Sequence, residues 1–311
     1  MDISNQLMTE TIEEGLNEVF FDEFNMETPP DYAKLEDIFK VDKSKKRAEY
    51  DLDMKGTGRF LSKGESEDIY EDNIKEKYKT SYVHTTYADS VPITKEYLED
   101  ELYNIIKDLV EDLGNSARET QYFNSFSIFR NAFNSSYLGA DGKTLCADDH
   151  PRDYGTVLDN KFTDKFSPTV LDQMIVRLIE QASHAGKVVS NIPAVLLVPP
   201  ARYTQAVQIC DAKLVPGSNN NDPNVFSTKY GIMVKQSPYI GASQGGSDDA
   251  VFLMARKHKV KRFVRVPVET WMTPWDKSRK TVTYYNARFR ESAGWSSPLG
   301  VVGTDGTTGS Y

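Results

Sequence analysis

Pattern and composition predict an α+β chain that is drawn out rather than packed into one ball, on three observations. Stripes of helical period near 98–113 and 167–182 stand among β-rich runs at 194–198, 250–255 and 260–290. The apolar share, roughly 40% with Gly counted and Tyr left out, lies below the 45–50% usual for globular chains. A charged, glycine-punctuated stretch at 46–92 holds few large apolar residues and suits a two-stranded excursion that cannot stand alone in water. At 311 residues the length suggests about two domains.

Residues 1–45 form an acidic arm. Leu7, Ile12, Leu16, Val19, Phe20 and Phe24 make one loose helical stripe before Pro29 and Pro30 stop it, and so short a segment needs a partner surface for that stripe. In the excursion that follows, Lys55-Gly56-Thr57-Gly58 and Lys63-Gly64 lie between β-rich ends at Tyr50 to Met54 and Ser81 to Tyr87. Leu98, Leu102, Ile105, Ile106, Leu109 and Leu113 then predict a helix with Thr94 as N-cap. If it continues past Gly114 to about Phe133 it runs roughly 60 Å, more than a small compact domain requires.

A second helix opens at Ser167 and Pro168, turns Leu171, Met174, Ile175, Leu178, Ile179 and Ala182 inward and ends near Gly186. Ala194 to Val198 reads as a buried strand, Ala201 to Cys210 as a short helix, and Gly231 to Lys235 and Ala250 to Ala255 as strands about a Gly/Ser loop. A long hairpin closes the chain. Val260 to Met272 runs out with Val264, Val266, Val268, Thr270 and Met272 on one face, and Thr281 to Arg290 returns.

Charge narrows the function classes. Residues 1–40 contain 11 acids and 2 bases, which leaves 35 of each sign elsewhere, so the net charge of −9 belongs to the arm and a globally basic nucleic-acid reader is excluded. One local basic concentration exists: Arg256, Lys257, Lys259, Lys261, Arg262, Arg265, Lys277, Arg279, Lys280, Arg288 and Arg290 face only Glu269 and Asp276. These cations could meet a nucleic-acid backbone or an acidic protein surface; the acidic arm of a neighbouring copy is the favoured complement. No apolar run is long enough to span a bilayer, and the start lacks the basic and apolar regions of a secretory signal. Cys146 and Cys210 lack metal-ligand spacing and suit the reducing cytosol as small buried hydrophobes.

Catalytic chemistry finds no complete apparatus. Gly139 to Thr144 ends like a phosphate-binding loop, but Tyr137 stands where the first Gly belongs and no helix follows, so a tight Asp141-Gly142 turn is expected. Gly241-Ala242-Ser243-Gln244-Gly245 matches the nucleophile elbow of serine hydrolases in letters only. A strand follows instead of a helix, and the one downstream His, His258, lies among Arg256, Lys257 and Lys259. Asp148-Asp149-His150 could offer metal ligands, but His84, His184 and His258 show no complementary spacing. Thus no catalytic, cofactor-binding or metal site is expected, and a Ser243 hydrolase is the alternative that activity loss in Ser243→Ala would support.

Several stretches, taken in order and spacing, resemble the major capsid proteins of tailed bacteriophages, in the branch like that of Mu-like phages: Tyr78 to Asp100, Leu113 to Ala117, Asp141-Gly142 through His150-Pro151, Leu196 to Pro200 and Phe289 to Asp305. The resemblance spans most of the chain from about residue 46. It implies the Hong Kong 97 type capsid fold: an N-terminal arm (1–45), an extended E-loop hairpin (46–92), a P-domain with a long spine helix (93–165), an A-domain (166–258), a long P-domain hairpin (259–290) and a C-terminal segment returning to the A-domain (291–311). It also implies a structural, non-enzymatic subunit. Hexamers and pentamers would form an icosahedral head around double-stranded DNA, assembled in the bacterial cytoplasm with scaffolding, portal and decoration proteins and no membrane.

Two departures from that family qualify the expectation. Only about 45 residues precede the hairpin, so the arm is expected to be retained and any scaffold to be a separate protein. Lys55 and Lys63 could supply the lysine of an inter-subunit isopeptide bond, but the tip from Pro274 to Lys280 contains no Asn, so self-crosslinking is not expected. An encapsulin-like compartment with protein cargo is the second structural reading.

Overall fold

The computed structural model describes residues 3–71, 75–94, 96–97, 103–153, 157–189, 191–214, 223–273 and 282–308, with the backbone alone over 3–10. Helix α1 (Ile3–Phe24) is followed by a short α2 (Leu35–Ile38) and strand β1 (Lys40–Lys43). Strands β2 (Ala48–Met54) and β3 (Glu76–Val83) form a two-stranded sheet, with β4 (Thr85–Thr94) next in the chain. The long helix α3 (Tyr103–Arg130) precedes β5 (Lys161–Asp164), α4 (Pro168–Glu180), β6 (Pro193–Val198), α5 (Pro200–Cys210), β7 (Met233–Gln236) and β8 (Val251–Ala255). The long strands β9 (Val260–Met272) and β10 (Val282–Trp295) and then β11 (Val301–Thr308) complete the fold.

Two larger sheets organise the body. The first, ordered β5-β11-β8-β6-β7, is covered on both faces, and period 2 decides which residue goes where. Val251, Leu253 and Ala255 of β8 pack with Leu171, Met174, Ile175 and Leu178 of α4 and with Ala206 and Ile209 of α5. Phe252 and Met254 point the other way, onto Phe126 and Phe129 of α3 and onto Leu35, Ile38 and Phe39. Serine 167 caps α4 by accepting from Val170 N–H at 3.3 Å, with Pro168 in the first turn.

That helix stops at Glu180 rather than near Gly186. Gln181 takes over the chain's direction: its buried amide donates to Val301 O at 3.2 Å and accepts from Gly300 N at 2.7 Å and Asn191 Nδ2 at 2.9 Å. A side chain spent on three long-range bonds cannot sit in a helical row, and Ile179, expected inside, is exposed.

The second sheet, ordered β1-β9-β10-β4, buries one face beneath α1 and α3. The boundary of the excursion moves accordingly. Pairing of β2 with β3 ends at Val83, and residues 85–92, expected to continue the hairpin, instead belong to a strand that runs antiparallel to β10 from Thr85↔Glu291 to Thr94↔Val282. Tyr87, Val91 and Ile93 thereby meet the sheet's core, which an exposed hairpin would leave in water.

Helix α3 spans about 42 Å at 1.5 Å per residue and passes through Gly114 unbroken. Its first half joins the core under the second sheet through Ile106, Val110, Leu113 and Ala117; its second half joins the first sheet's core. The buried face is turned relative to expectation, since Ile105 and Leu109 are exposed. Leu98 and Leu102 lie outside the described residues.

The arm's stripe finds its partner in its own chain. Leu16 and Phe20 are buried against α3 and β10, Phe20 lying 6.3 Å from the Tyr285 ring. Asn17 Oδ1 accepts from Thr270 Oγ1 at 2.6 Å and from Tyr285 Oη at 2.7 Å. The helices cross so closely at Gly114 that a Cβ there would stand 2.7 Å from the carbonyl oxygen of Phe20. At an ordinary helix position Gly→Ala gains about 1 kcal/mol. Here Gly114→Ala is expected instead to lift α1, with faster amide exchange over residues 11–24 as the measurable outcome; unchanged exchange would contradict the crossing.

Candidate assembly surface

Beyond their root, β2, β3 and the segment joining them leave the body. The strands pair from Ala48↔Val83 to Met54↔Glu76, and Lys55 N–H extends the ladder to Lys75 O at 3.0 Å. One face of the paired strands is held against the body and the other is left open, so the apolar residues of the open face remain in solvent. Tyr50, Leu52 and Met54 are exposed along β2, while at the tip Phe60 is 98% and Ile69 81% exposed, with Leu61 and Tyr70 beside them. Large apolar side chains gathered on one extended element mark a surface that another molecule covers.

The ribbon's root is held by charge. Asp51 Oδ2 accepts from Lys261 Nζ at 2.7 Å and from Tyr82 Oη at 3.3 Å. Burial would raise the Asp51 carboxyl, but the hydrogen bond and charge of Lys261 hold it below the usual carboxylate range. Burial, with Asp51 adding to it, pushes the Tyr82 phenol up, so Tyr82 stays a donor. Asp53 Oδ2 bonds His184 Nε2 at 3.0 Å, and Lys77 pairs with Asp153. On the other side of the root, His84 bridges Ser292 Oγ and Ser44 Oγ, each at 2.9 Å; burial, then Arg290, lowers its pKa and favours the neutral ring.

Residues weighed for chemistry serve structure here. Gly139 to Lys143 close a turn, with Gly142 at φ +75° and Gly139 N–H donating to Lys143 O at 2.7 Å. Amides turned inward in this way present no cradle for phosphate. His150 Nδ1 bonds Asp141 Oδ2 at 2.6 Å, whereas Asp149 pairs with Lys143 and Asp148 points to solvent, so the Asp148-Asp149-His150 triplet does not converge. Ser243 lies on a 3-10 turn at 242–244 that leads to β8, not on a strand-to-helix elbow. His258 sits in the β8–β9 turn, where Val260 N–H donates to its Nδ1 at 3.3 Å and burial lowers its pKa. Cys146 and Cys210 are buried free thiols, and burial pushes Cys210 up to about 12.

The basic concentration is partly neutralised within the chain: Arg262 pairs with Glu291, Arg288 with Glu269 and Lys261 with Asp51. Lys277, Arg279 and Lys280 lie outside the described residues, as does the whole 274–280 tip. Asp51 and Asp53, which hold the hairpin's root, have no role in the sequence reading, and His184 is weighed there only as a metal ligand. The alternation of Asp51 and Asp53 with Tyr50, Leu52 and Met54 is the signal, since it sets two acids on one face of a strand.

A sheet wrapped by helices on both faces, a spine helix shared with a second sheet, a long hairpin and an N-terminal helical arm together define the Hong Kong 97 type capsid subunit. Solved shells have this architecture. The chain is similar to a capsid protein of cyanophage P-SCSP1u at 11% identity and TM-score 0.56, covering 90% of each chain. It is similar to the virus-like particle of Pyrococcus furiosus at 11% identity and TM-score 0.54, covering 94% of this chain and 98% of that one. Its likeness to the bacteriophage JBD30 capsid decorated with minor capsid protein trimers is 11% identical, with TM-score 0.53, over 71% of this chain and 95% of the other. Comparison with curated proteins finds no significant match. A family model described as phage capsid protein matches residues 77–303, more than two thirds of the sequence. The chain belongs to the phage capsid protein family and is a structural major capsid protein, a component of the virion shell.

Proposed function

We propose that copies of this chain assemble as hexamers and pentamers into an icosahedral head that encloses double-stranded DNA. The observation that carries this reading is the hairpin: Phe60, Leu61, Ile69 and Tyr70 are displayed far from their own core, so their burial requires a neighbour. In this reading the hairpin, whose strands pair between Ala48 and Val83, lies across an adjacent subunit. Residues 93–165 and 259–290 form the P-domain, and 166–258 with 291–311 form the A-domain. The order of stretches from Tyr78 to Asp305 supports the Mu-like branch.

The role is mechanical, not enzymatic: Ser243 serves a turn, and His150 and Asp149 serve local pairs. Assembly takes place in the bacterial host's cytoplasm, with a separate scaffolding protein, a portal and decoration proteins, and without an isopeptide bond from Lys55 or Lys63. The phage capsid family supports a DNA-filled head over an encapsulin-like protein-cargo compartment. Electron microscopy of particles purified from the infected or expressing host, with their ultraviolet absorbance ratio, tests it. Closed icosahedral shells carrying nucleic acid are expected from infected cells; shells filled only with protein would favour the compartment.

A further inference from the structure

The chain's charge is divided between two separate places. On α1, Glu14, Glu18 and Asp22 recur every four residues, and each stands two positions from Leu16 or Phe20, about 200° around the helix from the buried stripe. All three are exposed, and none has a cation partner among the described residues. The second place is created by topology. Parallel pairing of β1 with β9 sets Lys40 opposite Lys261 and Lys43 opposite Val264, so cations more than 200 positions apart share one sheet edge. Lys261 is taken by Asp51 and Arg262 by Glu291, but Lys40, Lys43, Lys45, Lys257 and Lys259 are exposed without an acid partner among the described residues.

Distance weakens neutralisation within one molecule. Asn17 fixes α1 to Thr270, six residues along β9 from Val264, the partner of Lys43, or roughly 20 Å at 3.3 Å per residue. That is more than twice the Debye length of about 8 Å at physiological ionic strength. Lengths do match between copies: the acidic stripe covers about 12 Å of helix, and the edge from Lys40 to Lys43 about 10 Å of strand.

We propose that the Glu14–Glu18–Asp22 face of one copy seats on the β1–β9 basic edge of a second copy, an inference that rests on the shell reading and supplies one of its contacts. An acidic helix carried by every copy is a complement present at one-to-one ratio with the edge. It draws copies together through electrostatic steering and fixes their orientation.

A charge-swap cycle tests this with full-length protein. Glu14→Lys with Glu18→Lys and Asp22→Lys, or Lys40→Glu with Lys43→Glu and Lys259→Glu, is expected to cut particle yield about tenfold or more, and the six substitutions together to restore it. Circular dichroism should show unchanged melting, since all six sites are exposed. Should the lysine set fail to fold, Glu14→Gln, Glu18→Gln and Asp22→Asn must still lower the yield and flatten its loss with salt. Normal assembly of either triple, or no recovery in the combination, overturns the contact. A basic-edge triple that assembles normally but retains less DNA reassigns the edge to phosphate and likewise overturns it. Wild-type chain that remains monomeric in every buffer would instead remove the shell reading, and the inference with it.

Discussion

Phe60→Asp combined with Ile69→Asp is expected to leave the isolated subunit as stable as wild type and to abolish shell formation. Both side chains stand in solvent in the single chain, so their exchange removes no internal contact, and surface changes of this kind stay within about 0.5 kcal/mol. At a subunit contact the same residues would bury an aromatic ring and a branched aliphatic chain, each worth roughly 1.5–3 kcal/mol when desolvated. Losing both, and burying two carboxylates in their place, weakens each hairpin seat by more than 100-fold. Because a closed shell repeats the contact at every subunit, the loss compounds. Sedimentation velocity should show subunits or small capsomers where wild type gives particles, with coincident thermal melts. Particles formed at wild-type yield would mean that the tip touches nothing.

The second large effect is internal. Arg262→Ala is expected to destabilise the subunit by about 3–5 kcal/mol, the range for orphaning one member of a buried ion pair. Arg262 and Glu291 are 7% and 4% exposed, on adjacent strands β9 and β10. Burial raises the Glu291 carboxyl even with the Arg262 guanidinium opposing it, and removal of Arg262 raises it further. An acid whose pKa is raised on folding weakens the folded state wherever the unfolded chain is ionised, and the penalty disappears as pH falls through the folded-state pKa. The melting deficit of Arg262→Ala against wild type should therefore be largest near neutrality and shrink in mild acid. Adding Glu291→Gln should recover part of it at neutral pH. A deficit independent of pH would point to lost packing instead of a stranded charge.

How far this molecule could be read from its sequence follows from where each signal is stored. The α4 cap at Ser167, the buried β6 and β8 and the β9–β10 pair are written in local spacing, and they stand where spacing puts them. Helix α3 was legible, but the face it buries was not, because α1 decides that face and Gly114 shows its purpose only when Phe20 is beside it. Residues 85–94 alternate as any half-exposed strand does, and nothing local distinguishes a partner in β3 from one in β10. The hairpin was legible through its lack of a core. Its polar root was not, since Asp51, Lys261 and His184 become neighbours only in three dimensions. The same limit applied to the basic edge: the turn before β9 is rich in cations by sequence, but only the pairing of β1 adds Lys40 and Lys43 to it.

Early and late parts of the polypeptide close one another's structure. Phe39 packs between Phe126 and Phe129 in a cluster that also holds Val301, and among the described residues β1 pairs only with β9 and β5 only with β11. A nascent chain on the ribosome can therefore form α4 or α5, but it must hold Leu35 to Phe39 without Phe126 and Phe129 until about 90 further residues have emerged, and without Phe252, Val260 and Val301 until more than 200 have. Such non-local closure makes folding slow compared with a helical bundle of equal size, and it leaves greasy segments open to chaperones in the interval. Competence to join a shell thus arrives as a late event of synthesis.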